Sequence, residues 1–138
     1  MICLDTNIVI AYLKRGPTHL VERFQKEVFA GHLALPVPVL SELHYGVAKS
    51  ARQVENRGRL TSFLQLPIAV LPFDAADAEE AGNIRAALAR AGTPIGPYDV
   101  MIAAQARRRG AILITANTGE FSRVPGLAIE NWLAGAPA

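Results

Sequence analysis

Met1-Ile-Cys-Leu-Asp5-Thr-Asn-Ile-Val-Ile10 opens the chain, and its reading decides the fold. Met1–Leu4 is a short, continuously apolar run, as a strand covered on both faces requires. Asp5-Thr-Asn interrupts it, and the pattern turns helical over Asn7–Lys14. A buried strand that feeds a helix through a polar corner is the unit from which parallel sheets are built. The unit recurs downstream. Leu33–Pro36 reads as a strand followed by a helix from Pro38 to Lys49, and proline suits a helix's first turn. Ile68–Leu71 leads into Asp74–Arg90, a long helix closed by Gly92. Ala111–Thr115 leads into a polar stretch, and Leu127–Ile129 is a candidate last strand. Thr18–Ala30, Val54–Leu64 and Tyr98–Arg109 carry further helical patterns. The expectation is an α/β chain with a central, mostly parallel sheet of four to five short strands and helices on both faces.

The 138 residues fit one domain, expected over 1–133 with a loose tail at 134–138. With 51% hydrophobic and 19% charged residues, disorder is excluded as the default state. The single cysteine, Cys3, excludes an internal disulfide and a cysteine-rich zinc site, and fits a reducing, cytoplasmic location. No apolar run approaches the roughly 18 residues of a membrane span. A net charge of +2 permits an acidic partner without demanding one. There is no Gly-x-Gly fingerprint, no phosphate-binding P-loop and no Gly-x-Ser-x-Gly elbow. His19, His32 and His44 lack metalloprotease spacing and read as surface or boundary residues.

The acidic residues divide into two groups. Glu22, Glu27, Glu55, Asp74, Glu79 and Glu80 fall on polar helix faces and read as solvated, with Asp74 also a helix cap. Asp77, one turn in, suits the helix dipole, and Glu130 lies near the tail. Asp5, Glu42, Asp99 and Glu120 sit instead among apolar or small residues, where an unpartnered charge is expensive. Asp5 ends the first strand; a plain helix cap would also explain it. Glu42 flanks the apolar stripe of Leu40, Leu43 and Val47. Asp99 opens a helix and has no cation three or four residues on. Asn117 and Glu120 follow the strand that ends at Thr115. Strand-to-helix junctions thus deliver all four acids to one edge of one sheet, the edge where ligands bind in open α/β folds. Carboxylates crowded there cannot all stay ionised unaided. Either some are protonated, or a hard divalent cation such as Mg²⁺ or Mn²⁺ holds them together and serves phosphoryl chemistry.

At these residues the sequence resembles the PIN domain, and within it the VapC-type ribonuclease toxins of type II toxin–antitoxin modules. The resemblance rests on an ordered set: Cys3-Leu-Asp-Thr-Asn-Ile8, Ser41-Glu-Leu43 with Gly46, Ile95-Gly-Pro-Tyr-Asp99 with Met101-Ile-Ala-Ala104, Thr115-Ala-Asn-Thr-Gly-Glu-Phe121, Val124-Pro-Gly-Leu127 and Glu130-Asn-Trp132. It implies a three-layer α/β/α sandwich and an acid cluster that binds Mg²⁺, with Mn²⁺ as a substitute. Carried over by position, Asp5, Glu42 and Asp99 are metal ligands and, with Glu120, catalytic. Many PIN domains have an aspartate where this chain has Asn117, so the fourth contribution falls to Asn117 or Glu120. Asn7, Thr115 and Asn117 are expected to orient the acids.

The implied reaction is endonucleolytic hydrolysis of RNA, with in-line attack by water, leaving 5′-phosphate and 3′-hydroxyl ends. Lys14, Arg15, Lys49, Arg52 and Arg107–Arg109 could hold phosphates. The resemblance further implies a homodimer, a VapB-like antitoxin that sets a basic side chain among the acids, and inhibition of translation until that antitoxin binds. Ile-Gly-Pro-Tyr-Asp99 is similar to the subgroup that cuts initiator tRNA in the anticodon loop. Three rivals differ in class. A phosphatase of the Asp-x-Asp type lacks its second acid, since Asn7 stands there. A small-ligand α/β module lacks a glycine loop. A non-catalytic protein that binds RNA or a partner through a degenerate acidic site is favoured only by Asn117.

Overall fold

A computed structural model of the chain describes residues 1–134. Five strands, β1 (Ile2–Leu4), β2 (Leu33–Pro36), β3 (Ala69–Leu71), β4 (Ile112–Ile114) and β5 (Ala128–Glu130), form one sheet. Every neighbouring pair is parallel, in the order β3-β2-β1-β4-β5. The fold class read from the sequence holds. Among the described residues seven helices connect the strands: α1 (Thr6–Leu13), α2 (Thr18–Phe29), α3 (Val37–Lys49), α4 (Gln53–Leu64), α5 (Ala75–Arg90), α6 (Pro97–Arg108) and α7 (Thr118–Phe121). The short α7 falls where the sequence reads as a polar loop. The tail expected at 134–138 lies outside the described residues except for Ala134.

The strand order places the site. From β1 the chain adds β2 and then β3 on one side, then returns across β1 to add β4 and β5 on the other. The order therefore reverses between β1 and β4, and such a switch point opens a crevice at the carboxyl ends of the strands. Parallel crossovers are right-handed almost without exception, so helices before and after the reversal lie on opposite faces. The packing agrees: α1, α2, α3 and α4 contact one another, and α5 packs on α6. The core between them includes Leu4, Ile8, Leu20, Phe24, Leu35, Ile84, Ile102, Leu113 and Phe121. Tyr12 stacks on Phe24 with ring centroids 4.0 Å apart, and Phe63 and Trp132 close the same aromatic group.

Three expectations need correction. Glu27 is buried rather than solvated, because His32 Nδ1 lies 2.8 Å and Arg23 Nε 3.3 Å from its carboxylate. Those partners hold its pKa low, His32 foremost. Asp77 does more than suit a helix dipole. It shares a capping box with Asp74, and it takes hydrogen bonds from Arg108 Nε at 2.7 Å and Arg109 Nη1 at 2.8 Å. Arg107 is likewise committed, to Glu80 at 2.6 Å and to the Pro125 carbonyl at 3.0 Å. Arg107–Arg109 therefore tie α6 to α5 rather than offering phosphate contacts.

Candidate active site

Asp5 stands where β1 becomes α1, and both of its oxygens are engaged. Oδ1 accepts from the Thr6 amide at 2.9 Å, which makes Asp5 the N-cap of α1. Oδ2 accepts from Thr115 Oγ1 at 2.7 Å. The Asp5 amide donates to the Ile114 carbonyl at 2.9 Å, so the ends of β1 and β4 are laced together by backbone and side chain. The cap reading holds, and capping uses only one of the two oxygens, so it does not exclude a site role for Asp5. Asp5 is only 5% exposed. Burial pushes its carboxyl above the ordinary aspartate range, against the lowering effect of Thr115 and Thr6.

Thr115 passes the chain of contacts onward. Its Oγ1 accepts the Asn117 amide at 2.9 Å. The Asn117 side-chain amide donates to Glu120 Oε2 at 3.1 Å. One polar relay thus runs from Asp5 to Glu120, and α7 holds Glu120 in its first turn.

Glu42 and Asp99 come from helices that touch, α3 and α6. Asp99 is the third residue of α6. Pro97 opens that helix, and no side chain caps it, so Asp99 is not spent on capping. The Asp99 carboxyl is pushed up to about 6 by partial burial, then by the charges of Asp5, Glu120 and Glu42 around it. Glu42 is raised by burial and then by the charge of Asp5. The Thr6 hydroxyl oxygen is buried without a hydrogen-bond partner. Four acids from four elements therefore feel one another's charge at the carboxyl edge.

Among the described residues no three His, Cys, Asp or Glu side chains are drawn tightly enough together to hold an ion as they stand. The donor chemistry nonetheless fits a hard divalent cation. Every donor is an oxygen, the charges repel, and an orphaned hydroxyl faces Glu42. Cys3 offers no rival chemistry, since burial pushes its thiol up to about 11.

The residues around this centre fall as follows. Asn7 is exposed on the first turn of α1. Lys14, the C-cap of α1, lines a cleft of about 290 Å³ together with Glu42, Asn56 and Arg59. That cleft shares Leu13, Lys14 and Arg59 with a larger one of about 1120 Å³, which Arg15 also lines. Lys49 is exposed in the last turn of α3. Arg52 lies just beyond, 3.7 Å from Glu55. His44 and His32 are exposed, and His19 is half-buried, as expected of surface and boundary residues. The role of α7 in carrying Glu120 is what sequence reading missed; four residues are too few to show a helical period.

Comparison with known proteins gives a consistent result. The PIN domain family matches residues 2–127. The chain is 46% identical over 129 residues to the tRNA(fMet)-specific endonuclease VapC of Shigella flexneri, covering 94% of this chain and 96% of the relative. It is 42% identical over the same length and coverage to the protein of that description from Salmonella typhimurium. Among solved structures, DNA-bound VapBC from Salmonella typhimurium superposes with a TM-score of 0.88 at 41% identity, covering 95% of this chain and 97% of that one.

Proposed function

The chain belongs to the PIN-domain family, and on that premise we propose that it is a metal-dependent endoribonuclease, the toxin of a VapBC-like type II toxin–antitoxin pair. Its RNA target is tRNA, initiator tRNA first among the candidates, because its relatives carry the name tRNA(fMet)-specific endonuclease. The observation that carries the reading is the convergence of Asp5, Glu42, Asp99 and Glu120 at the switch point of the sheet, where burial and then the charges of Asp5, Glu120 and Glu42 raise the Asp99 carboxyl.

Asp5, Glu42 and Asp99 would hold Mg²⁺ or Mn²⁺, with Glu120 the fourth acid of the site. A divalent ion supplies Lewis-acid polarisation of the phosphoryl group and, from water, a nucleophile at neutral pH. The chain's own part is positioning. Thr6 and Thr115 fix the two oxygens of Asp5. Asn117 fixes Glu120 by donating to it, so the asparagine serves the acid instead of replacing it. An asparagine that supports an acid counts against a degenerate, non-catalytic site.

A cleft lined by Glu42, which shares Leu13, Lys14 and Arg59 with a larger one, would seat an antitoxin segment beside that acid. A basic side chain arriving there would neutralise the charges that a metal otherwise holds. The protein is proposed to act in the cytoplasm as a homodimer. No helix among the described residues is long and apolar enough to cross a membrane.

The test is cleavage of end-labelled total tRNA by antitoxin-free protein in Mg²⁺, Mn²⁺ or EDTA, with Asp99→Asn alongside. Discrete fragments with 5′-phosphate ends that require metal and vanish in the variant are expected. Intact RNA of every kind, together with no Mn²⁺ binding, would return the protein to the non-catalytic class.

A further inference from the structure

Two exposed tyrosines lie close in the chain to acids of the site. Tyr98 directly precedes Asp99 in the first turn of α6 and is 55% exposed. Tyr45 lies three residues after Glu42 on α3 and is 64% exposed. Residues three and seven apart share a helix face, so Glu42, Tyr45 and Lys49 form one row. Lys49 Nζ lies over the Tyr45 ring, 4.9 Å from its centroid, and among the described residues it has no carboxylate partner. Exposed aromatic rings beside a site are costly unless something covers them. Here an unpaired cation accompanies one ring, and the row runs directly into the acids. An aromatic face next to a free cation is the recognition chemistry of an unstacked base and its phosphate.

We propose that Tyr45 and Tyr98 stack the bases flanking the scissile phosphate, and that Lys49 swings from its ring to the adjoining phosphate. This rests on the ribonuclease reading and assigns to the two rings the contacts with bases splayed out at the cut. Paired bases would present no free faces to the two rings, so a duplex is a poor substrate. Stacking tolerates any base, so the rings select exposure of the strand rather than its sequence.

The test uses full-length protein carrying Asp99→Asn, which prevents turnover, in Mg²⁺. Binding of a fluorescein-labelled mixed-sequence single-stranded RNA is compared with binding of the same RNA annealed to its complement. Tyr45→Ala and Tyr98→Ala should each weaken single-strand binding about 5- to 150-fold, the worth of one base–aromatic stack, and barely change duplex binding. Tyr45→Phe and Tyr98→Phe should retain it. Lys49→Ala should reduce the slope of log affinity against log salt by about 0.7, one phosphate contact on a single strand. Phe29→Ala is the control: that ring is 88% exposed but ends α2, just before β2 begins, at the opposite edge of the sheet. Unchanged single-strand affinity in both alanine variants would overturn the proposal. So would a Tyr45→Ala protein whose sedimentation shifts from dimer to monomer, since the ring would then cover a protein interface. Ring-dependent binding by a protein that, with Asp99 intact, cuts no RNA would sink the ribonuclease reading and leave the stacking subsite standing.

Discussion

Thr115 Oγ1 donates to Asp5 Oδ2 at 2.7 Å, joining the ends of the two strands between which the sheet order reverses. Both residues are buried, so the bond has no water to replace it. The same oxygen receives the Asn117 amide. Thr115→Val removes both contacts while keeping the volume. The variant should lose about 1–3 kcal/mol of stability, the cost of leaving buried partners unsatisfied. Metal affinity and RNA cleavage should fall about 10- to 100-fold, as when an outer partner of a metal ligand is removed. Thr115→Ser should restore both. Thermal denaturation and Mn²⁺ titration check the pair; full activity in the valine variant would show that Asp5 needs no such support.

Asp99 should make the metal-free fold less stable than it could be. Its carboxyl is raised to about 6, so the folded state holds the proton more tightly than the unfolded chain does. Its ionisation therefore lowers stability as pH rises from about 4 to about 6, and the loss stays constant above that. Asp99→Asn removes that charge. In EDTA at pH 7 the variant should melt a few degrees above the wild type, on the order of 1 kcal/mol once solvent screening of a half-exposed group is allowed for. Mg²⁺ should raise the melting temperature of the wild type and leave the variant nearly unmoved. A variant that melts lower in EDTA would contradict the crowding of charge at this site.

How much of this was legible before the structure depends on how far each residue's partners lie along the chain. Asp5 and Glu42 stand out because each is a carboxylate in an apolar setting soon after a strand, which is read locally; Asp99 stands out as an acid at a helix start, although that helix follows α5 and not the strand that the sequence reading expected. The sheet follows from the same alternation, including the weak last strand at Ala128–Glu130. Asp77 read only as an acid suiting the helix dipole because helical periodicity describes its own helix alone, whereas Arg108 and Arg109 arrive from 31 and 32 residues away. Glu27 was hidden by His32, which lies beyond the end of its helix. The relay from Thr115 through Asn117 to Glu120 was equally invisible. A four-residue helix has no period, and a side-chain amide's direction is set by the fold.

That relay makes a prediction about the fourth acid. If Glu120 is the working group and Asn117 its holder, Glu120→Gln should lower kcat/KM by more than Asn117→Ala does. The double variant should be little worse than Glu120→Gln alone, because contacting residues couple and do not add. Cleavage rates at a fixed Mg²⁺ concentration measure this. A larger loss in Asn117→Ala than in Glu120→Gln would assign the position to the asparagine carbonyl.

Asp77 is the residue whose loss should most damage the fold without touching the acids. Its side chain is fully buried between Arg108 and Arg109, and it ties α5 to the end of α6, the helix whose first turn carries Asp99. Burial alone would raise its carboxyl, but the Arg109 and Arg108 hydrogen bonds and the Asp74 amide outweigh it and hold the group well below the usual carboxylate range. Asp77→Ala leaves two arginines facing an empty acid position and should cost about 3–5 kcal/mol, the loss on breaking a buried pair from one side. The sign of the pH dependence follows from the lowered pKa. The stabilisation is complete above the unfolded value near 4 and is lost as pH falls through the folded value. Wild-type stability should therefore decline steadily below about pH 4, and the Asp77→Ala curve should be flatter there. Urea unfolding from pH 2 to 7 measures both curves; parallel curves would mean that the two arginines find other partners once Asp77 is gone.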